Sequence, residues 1–162
     1  MAPYKPILGT LAYILSPDRR SVLMIHRNTR PDDVHYGKHN GLGGKLEPQE
    51  DVASGIRREV REEAGIEIEE MSLRGTVNWP GFVGDEDWLG FIFRVDRWSG
   101  TPLTANHEGT LEWVPVDQIQ SLNLWDSDRL WIDMVFDDDP RPFHGIAPYE
   151  DGKMISWSFV RI

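Results

Sequence analysis

Glu59, Glu62 and Glu63 place three carboxylates within five positions, with Arg58 directly before them. Like charges four apart on a helix repel by roughly 0.2–0.5 kcal/mol, so the grouping calls for either plentiful solvent or a cation among the acids. Oxygen-only ligands suit a hard divalent ion, Mg²⁺ or Mn²⁺, which commonly binds through one or two carboxylates together with substrate phosphates. Such an ion acidifies a bound water and offsets charge on phosphoryl oxygens, the chemistry needed to cut a phosphoric anhydride. Three glutamates taken alone read more often as a solvated helix face than as a metal site.

The element that must hold them is a helix. Ala53, Ile56, Val60 and Ala64 recur at helical spacing and fall within about 80° of arc, while Glu59, Glu62 and Glu63 fill the adjacent ~100°. One face packs and its neighbour carries the acids. Asp51 is a plausible N-cap for a helix running to about Ala64, and Gly65 stops it. Upstream, Gly41-Leu42-Gly43-Gly44 would let the backbone approach a phosphate or metal closely, because glycine has no Cβ.

Residues 44 to 66 also match, at every specified position, the pattern G-x5-E-x7-R-E-U-x-E-E-x-G-U with U a bulky aliphatic: Gly44, Glu50, Arg58, Glu59, Val60, Glu62, Glu63, Gly65 and Ile66. The stretch resembles the Nudix box, the signature of hydrolases that cleave a nucleoside diphosphate linked to another moiety. That resemblance implies Glu59 and Glu63 as leading metal ligands, with Glu62 a further ligand or water-organiser. It implies Arg58 orienting a helix glutamate, Glu50 in a supporting role, and a backbone carbonyl at Gly43 or Gly44 in the metal shell. Glu108, in the polar loop before the Trp113 strand, is the downstream candidate for a further acid at the metal cluster.

Beyond the box, three stretches look like those of 8-oxo-dGTP diphosphatases related to MutT: Asn40-Gly41-Leu42-Gly43-Gly44-Lys45, Trp125 to Asp128 followed by Trp131, and Phe143-His144-Gly145. The likeness implies Asn40 hydrogen-bonding a base, Trp125 stacking on it and Asp128 reading its Watson–Crick edge, with Arg27 and Lys45 as further substrate-binding candidates. Stacking on an aromatic face is worth roughly 1–3 kcal/mol for any base, whereas an amide or carboxylate tells donors from acceptors. One departure is visible: those enzymes carry two adjacent aspartates where this chain has Ser127-Asp128, so preference for oxidised guanine is open. Core packing is the competing role for Trp125 and Trp131. His26, His35, His39, His107 and His144 show no ligand-type clustering; His35 and His39 lie in the presumptive recognition loop.

Turn and strand signals fill in the frame. Ile7 to Leu15 and Val22 to Ile25 read as a hairpin across Ser16-Pro17-Asp18, and residues 28 to 40 read as a surface loop. Met71 to Trp79, Trp88 to Arg97 and Leu111 to Val116 read as strands. Asp117 caps a short helix through Ser121, Asp126 to Phe136 forms a second helix, and Phe143 to Ile146 and Met154 to Ile162 are extended. This order gives an α+β class, and the resemblance implies a Nudix fold, an α/β/α sandwich around a mixed β-sheet. The 162 residues suit one domain spanning 1–162.

Composition narrows the partners. With 17 basic and 27 acidic residues the formal charge is −10, which opposes an extended nucleic-acid backbone or an anionic membrane and leaves a small nucleotide carried with its cation. The absence of cysteine removes disulfides, thiolate metal sites and cysteine nucleophiles. A cytoplasmic monomer or homodimer is expected. The leading function is Mg²⁺- or Mn²⁺-dependent hydrolysis of (oxidised) purine nucleoside triphosphates to monophosphate and pyrophosphate. A Nudix hydrolase of ADP-ribose, dinucleotides or nucleotide sugars is the alternative, prompted by Asn78-Trp79-Pro80-Gly81-Phe82, and a non-catalytic nucleotide-sensing module is a third reading.

Overall fold

The computed structural model describes residues 1–162. Its centre is a mixed ten-stranded sheet whose core runs through β1 (Ile7–Leu15), β2 (Ser21–His26), β5 (Glu67–Val83), β6 (Glu86–Ser99), β8 (Gly109–Pro115) and β9 (Phe143–Ile146). The order across the sheet is β12-β9-β5-β6-β1-β2-β8-β7, with short β3 (His39–Asn40) on β2 and β4 (Leu42–Lys45) on β1; β7 is Ala105–Asn106 and β12 is Ser158–Arg161. β1 runs parallel to β6, and β5 parallel to β9, while the other pairings are antiparallel. A separate two-stranded ribbon pairs β10 (Tyr149–Glu150) with β11 (Lys153–Met154).

Strand side chains alternate faces, so β1 feeds two cores: Ala12 and Ile14 pack toward helix α1 (Val52–Ala64), and Tyr13 toward helix α2 (Asp128–Phe136). One core holds Ile56, Val60 and Ala64 from α1 with Leu23, Ile25 and Leu42. The other holds Trp131, Ile132 and Val135 from α2 with Met24, Val77 and Phe143. Helix, sheet, helix is the layering that the Nudix resemblance implied.

Helix α1 keeps its expected bounds for the expected reasons. The Asp51 carboxylate accepts from the Ser54 N–H at 2.8 Å, and Gly65 takes the left-handed conformation (φ 71°) while donating to the Arg61 carbonyl. Helix α2 starts two residues later than its sequence suggested. The Ser127 hydroxyl that precedes it makes no cap because it is engaged by the Trp79 indole and the Tyr149 hydroxyl. The segment after Asp117 is a 3-10 helix, Val116–Ser121.

The largest difference lies in the β5–β6 hairpin. Of the two turn-rich stretches between the expected strands, Gly84-Asp85 is the turn, whereas Pro80-Gly81 sits inside β5 at a register shift between Trp79 and Val83. A bulge lets proline sit in a paired strand without a missing donor breaking the ladder. Phe82 lies within this bulge and lines the cavity beside Trp79. The expected extended run from Met154 to Ile162 is two short strands, β11 and β12, separated by an unpaired stretch.

Candidate active site

A cavity of about 600 Å³ opens beside the β4–α1 junction. Its lining comes from β1, β4, α1, the loop after β2, the β5 bulge, the loop before β8 and the start of α2. Two neighbourhoods share it, one acidic and one aromatic.

The acidic neighbourhood is built on α1. Glu59 and Glu63, four residues apart, point into the cavity with Glu108 from the β7–β8 loop. Glu63 is buried, and its Oε2 accepts the Gly43 N–H at 3.2 Å. Burial, reinforced by the charges of Glu108 and Glu59, pushes its carboxyl up to about 9. Burial likewise raises Glu59. Gly44 packs on the Glu59 carboxyl so closely that a β-carbon there would lie 2.6 Å from it.

Arg58 gathers this end of the helix. It forms a bidentate pair with Glu50 (2.6 and 2.8 Å), bonds Glu59 Oε1 at 2.9 Å, and reaches the Lys45 carbonyl at 3.2 Å. The pairing holds the Glu50 carboxyl down near 2. Glu62 stands apart. One position round the helix from Glu63, its side chain is 59% exposed, rests 3.3 Å from Arg58 and does not line the cavity. The sequence grouped three acids, whereas the helix turns two of them inward and brings Glu108 to join them.

These residues fit a divalent cation on the structure's own terms. Buried carboxylates whose ionisation is opposed by burial and by one another are short of positive charge, and an oxygen-only donor set matches a hard ion. Arg27 lines the same cavity but is committed to acids, 2.7 Å from Asp33 and 3.4 Å from Glu108. Lys45 also lines it, its ammonium 5.6 Å from the Trp88 ring centroid.

The aromatic neighbourhood contains Trp125, Phe82 and Trp79. Phe82 meets Trp125 edge-on (4.8 Å, 62°) and Trp79 at 6.0 Å. Trp79 can lie across the sheet because residue 90 is glycine, where any β-carbon would overlap the indole. Asn40 and Asp128, both largely buried, add an amide and a carboxyl to this wall. Burial raises Asp128 to about 7, against a weak opposing hydrogen bond from Ser127. Ser127 does not face the cavity as a second acid would. It accepts the Trp79 indole N–H at 3.0 Å, its hydroxyl lies 3.1 Å from that of Tyr149, and it supports Asp128 from behind.

Of the two candidate tryptophans, Trp125 faces the cavity, and Trp131 is a core residue packed on Tyr13 and Phe143. Sequence reading missed Trp79 and Phe82 as cavity residues, treating them only as an alternative subfamily mark, because Trp79 reaches the cavity over Gly90 of the neighbouring strand and Phe82 lies in the bulge, outside the strand's alternation. The histidines are also not all apart. The β2–β3 pairing sets His26 against His39, rings stacked at 4.1 Å and 10°, with Glu112 of β8 3.5 Å from one and 3.0 Å from the other. His39 Nε2 is hydrogen-bonded to the Glu112 carboxylate while His26 stands at ion-pair distance from it, and the donor atoms of the three side chains lie within 4.8 Å of one another.

The family model described as the NUDIX domain matches residues 5–135. The chain belongs to the Nudix family. Nudix proteins of this kind are hydrolases acting on nucleoside diphosphate derivatives and triphosphates, and they generally use divalent metal ions. Among relatives, this Nudix chain is 30% identical over 149 residues to the oxidized purine nucleoside triphosphate hydrolase of Mus musculus, covering 91% of this chain and 90% of that protein. It is 31% identical over 129 residues to the Danio rerio protein of the same name, covering 79% and 78%. The crystal structure of a mutator MutT protein from Bacillus halodurans shares the Nudix fold at a TM-score of 0.82 and 24% identity, covering 94% of this chain and 97% of that one.

Proposed function

We propose that this Nudix hydrolase is a Mg²⁺- or Mn²⁺-dependent pyrophosphohydrolase of purine nucleoside triphosphates, oxidised ones such as 8-oxo-dGTP included, releasing the monophosphate and pyrophosphate. The observation that carries this reading is that one cavity joins a cluster of three inward-facing carboxyls to a pocket walled by aromatic rings and closed by an amide and a carboxyl. The relatives named oxidized purine nucleoside triphosphate hydrolases support it.

Glu59, Glu63 and Glu108, with a backbone carbonyl at Gly43 or Gly44, would hold the cation. Once bound, the ion supplies an acidified water and charge neutralisation on the phosphate chain. Arg58 fixes Glu59 and, through Glu50, ties the loop to the helix, so the acids need not reorganise during the reaction. Glu62, exposed beside Arg58 and outside the cavity lining, helps hold the Arg58 guanidinium that positions Glu59. Lys45 offers a cation to the phosphate chain, while Arg27 acts mainly by holding Glu108 and Asp33 in place. Trp125 and Phe82 supply stacking, and Asn40 and Asp128 supply polar contacts to the base edge. With Asp128 titrating near 7, its carboxyl can present either a donor or an acceptor at physiological pH.

The deciding experiment is turnover of 8-oxo-dGTP, dGTP, 2-oxo-dATP, ADP-ribose and a nucleotide sugar with Mg²⁺, with the products resolved. Pyrophosphate and a purine monophosphate are expected. Two monophosphates from ADP-ribose as the efficient reaction would establish the diphosphate-linked reading instead. Nucleotide binding with no phosphate product would make the domain a sensor.

A further inference from the structure

Within the cavity one side chain has a hydrogen-bonding state fixed by its neighbour. His35, in the loop between β2 and β3, lines the cavity wall and meets Trp125 edge-on at 5.4 Å and 86°. The Trp125 indole nitrogen lies 2.9 Å from His35 Nδ1. An indole N–H can only donate, so Nδ1 must be the unprotonated nitrogen and the ring proton must sit on Nε2. Nε2 has no protein partner and, unlike the indole nitrogens of Trp88 and Trp131, is not sealed off from the cavity. The ring is also held through its backbone. Asp33 Oδ1 accepts the His35 N–H at 3.1 Å, and Asp33 Oδ2 is pinned by Arg27 at 2.8 Å.

We infer that His35 is a specificity-determining residue of this site, a preset Nε2–H donor that selects a purine presenting a carbonyl oxygen on its six-membered ring and, by the same ring, holds Trp125 in stacking position. The inference rests on the triphosphatase reading above. Burial and the nearby Arg27 push the imidazole down to about 4, while Asp33 opposes them, so the ring is neutral at pH 7 and keeps this polarity. An imidazolium would set one N–H against another at Nδ1. The Asn40 amide can turn either its donor or its acceptor to the base and the Asp128 carboxyl can serve as either, so the fixed demand of this wall is the one His35 makes, a carbonyl oxygen facing Nε2–H. Guanine-type bases carry a carbonyl at the six-membered ring where adenine carries an amino donor, so the former are favoured.

The test combines steady-state kinetics with ¹⁵N spectra of the imidazole. His35→Phe should raise KM for dGTP and 8-oxo-dGTP by about tenfold, the loss of one buried hydrogen bond, and leave kcat within a factor of about two. His35→Gln, whose amide can accept from Trp125 and donate to the base, should recover most of that loss. In the wild-type protein, the histidine Nε2–H resonance should shift on titration with dGMP while Nδ1 remains unprotonated. An unchanged KM in His35→Phe, a glutamine variant no better than phenylalanine, or an Nε2–H signal insensitive to dGMP would each overturn the assignment. The wild-type spectra decide the matter even if His35→Phe does not fold. Wild-type protein inactive on every purine triphosphate would instead overturn the underlying function.

Discussion

At the residue scale, two of the carboxyls whose ionisation burial opposes, Glu63 and Asp128, do different work. Glu63 sits among other acids, and its ionised form lacks a counter-charge in the protein itself. Glu63→Gln removes a candidate ligand without leaving a buried charge unpaired. It should lower kcat by about 10³-fold or more, the scale at which a positioned charge contributes to transition-state stabilisation, and leave the melting temperature equal or higher. Normal turnover would remove Glu63 from the metal site. Asp128 is buried against aromatic rings instead. Its carboxyl moves from 3.8 in the unfolded chain to about 7 in the fold, so the folded state prefers it protonated. The stability it contributes is complete below pH 4 and is lost as pH rises through about 7, on the order of 4 kcal/mol at about 1.36 kcal/mol per unit. Urea unfolding of wild type and Asp128→Asn at pH 5 and pH 8 should therefore show a steeper loss for wild type. Equal slopes would place Asp128 in contact with solvent or a counter-charge.

At the element scale, adjacent glycines of β4 have separable duties. A β-carbon at Gly43 would overlap the Thr10 carbonyl across the β1–β4 pairing, where rigid backbone cannot give way. Gly43→Ala is expected to destabilise the fold by about 2 kcal/mol or more. At Gly44 the obstruction is the end of the Glu59 side chain, which is able to move. Gly44→Ala should keep the fold, shifting the urea midpoint little, but displace Glu59 and cut kcat at least about tenfold, the cost of moving a positioned group by about 1 Å. If both variants unfolded alike, the close contact at Gly44 would be structural only. The helix that carries the acids is capped independently of them, by Asp51 and Gly65, so losing an inward acid need not loosen the element.

At the scale of the whole molecule, a sheet with a helix on each face brings α1 and the start of α2 to the same rim, one with acids and the other with Trp125 and Asp128. The chain as a whole is strongly acidic, at −10, while its cavity needs a cation. Chelation with EDTA should abolish turnover, and Mg²⁺ should both restore it and raise the melting temperature by binding only the folded state. Because burial and the neighbouring acids favour the protonated form of Glu63, cation binding should also release protons. Calorimetric heats of Mg²⁺ binding in buffers of differing ionisation enthalpy would measure that release, and buffer-independent heats would place the ion elsewhere.

The sequence by itself determined the family box, the bounds of α1 and the acid-bearing face beside its packed face, because these follow from local spacing, capping and period, whereas the layered plan and the grouping of Glu108, Asn40, Trp125 and Asp128 with those acids rested on the family resemblance. Only the tertiary structure decided that Glu62 turns outward, that Trp79 over Gly90 and Phe82 in the β5 bulge form part of the wall, that Ser127 braces Trp79 from behind, and that Trp125 fixes the proton on His35. Each of those depends on residues dozens of positions apart meeting across strands and loops, and a chain's periodicity records which face a residue takes within its own element but not what stands opposite it.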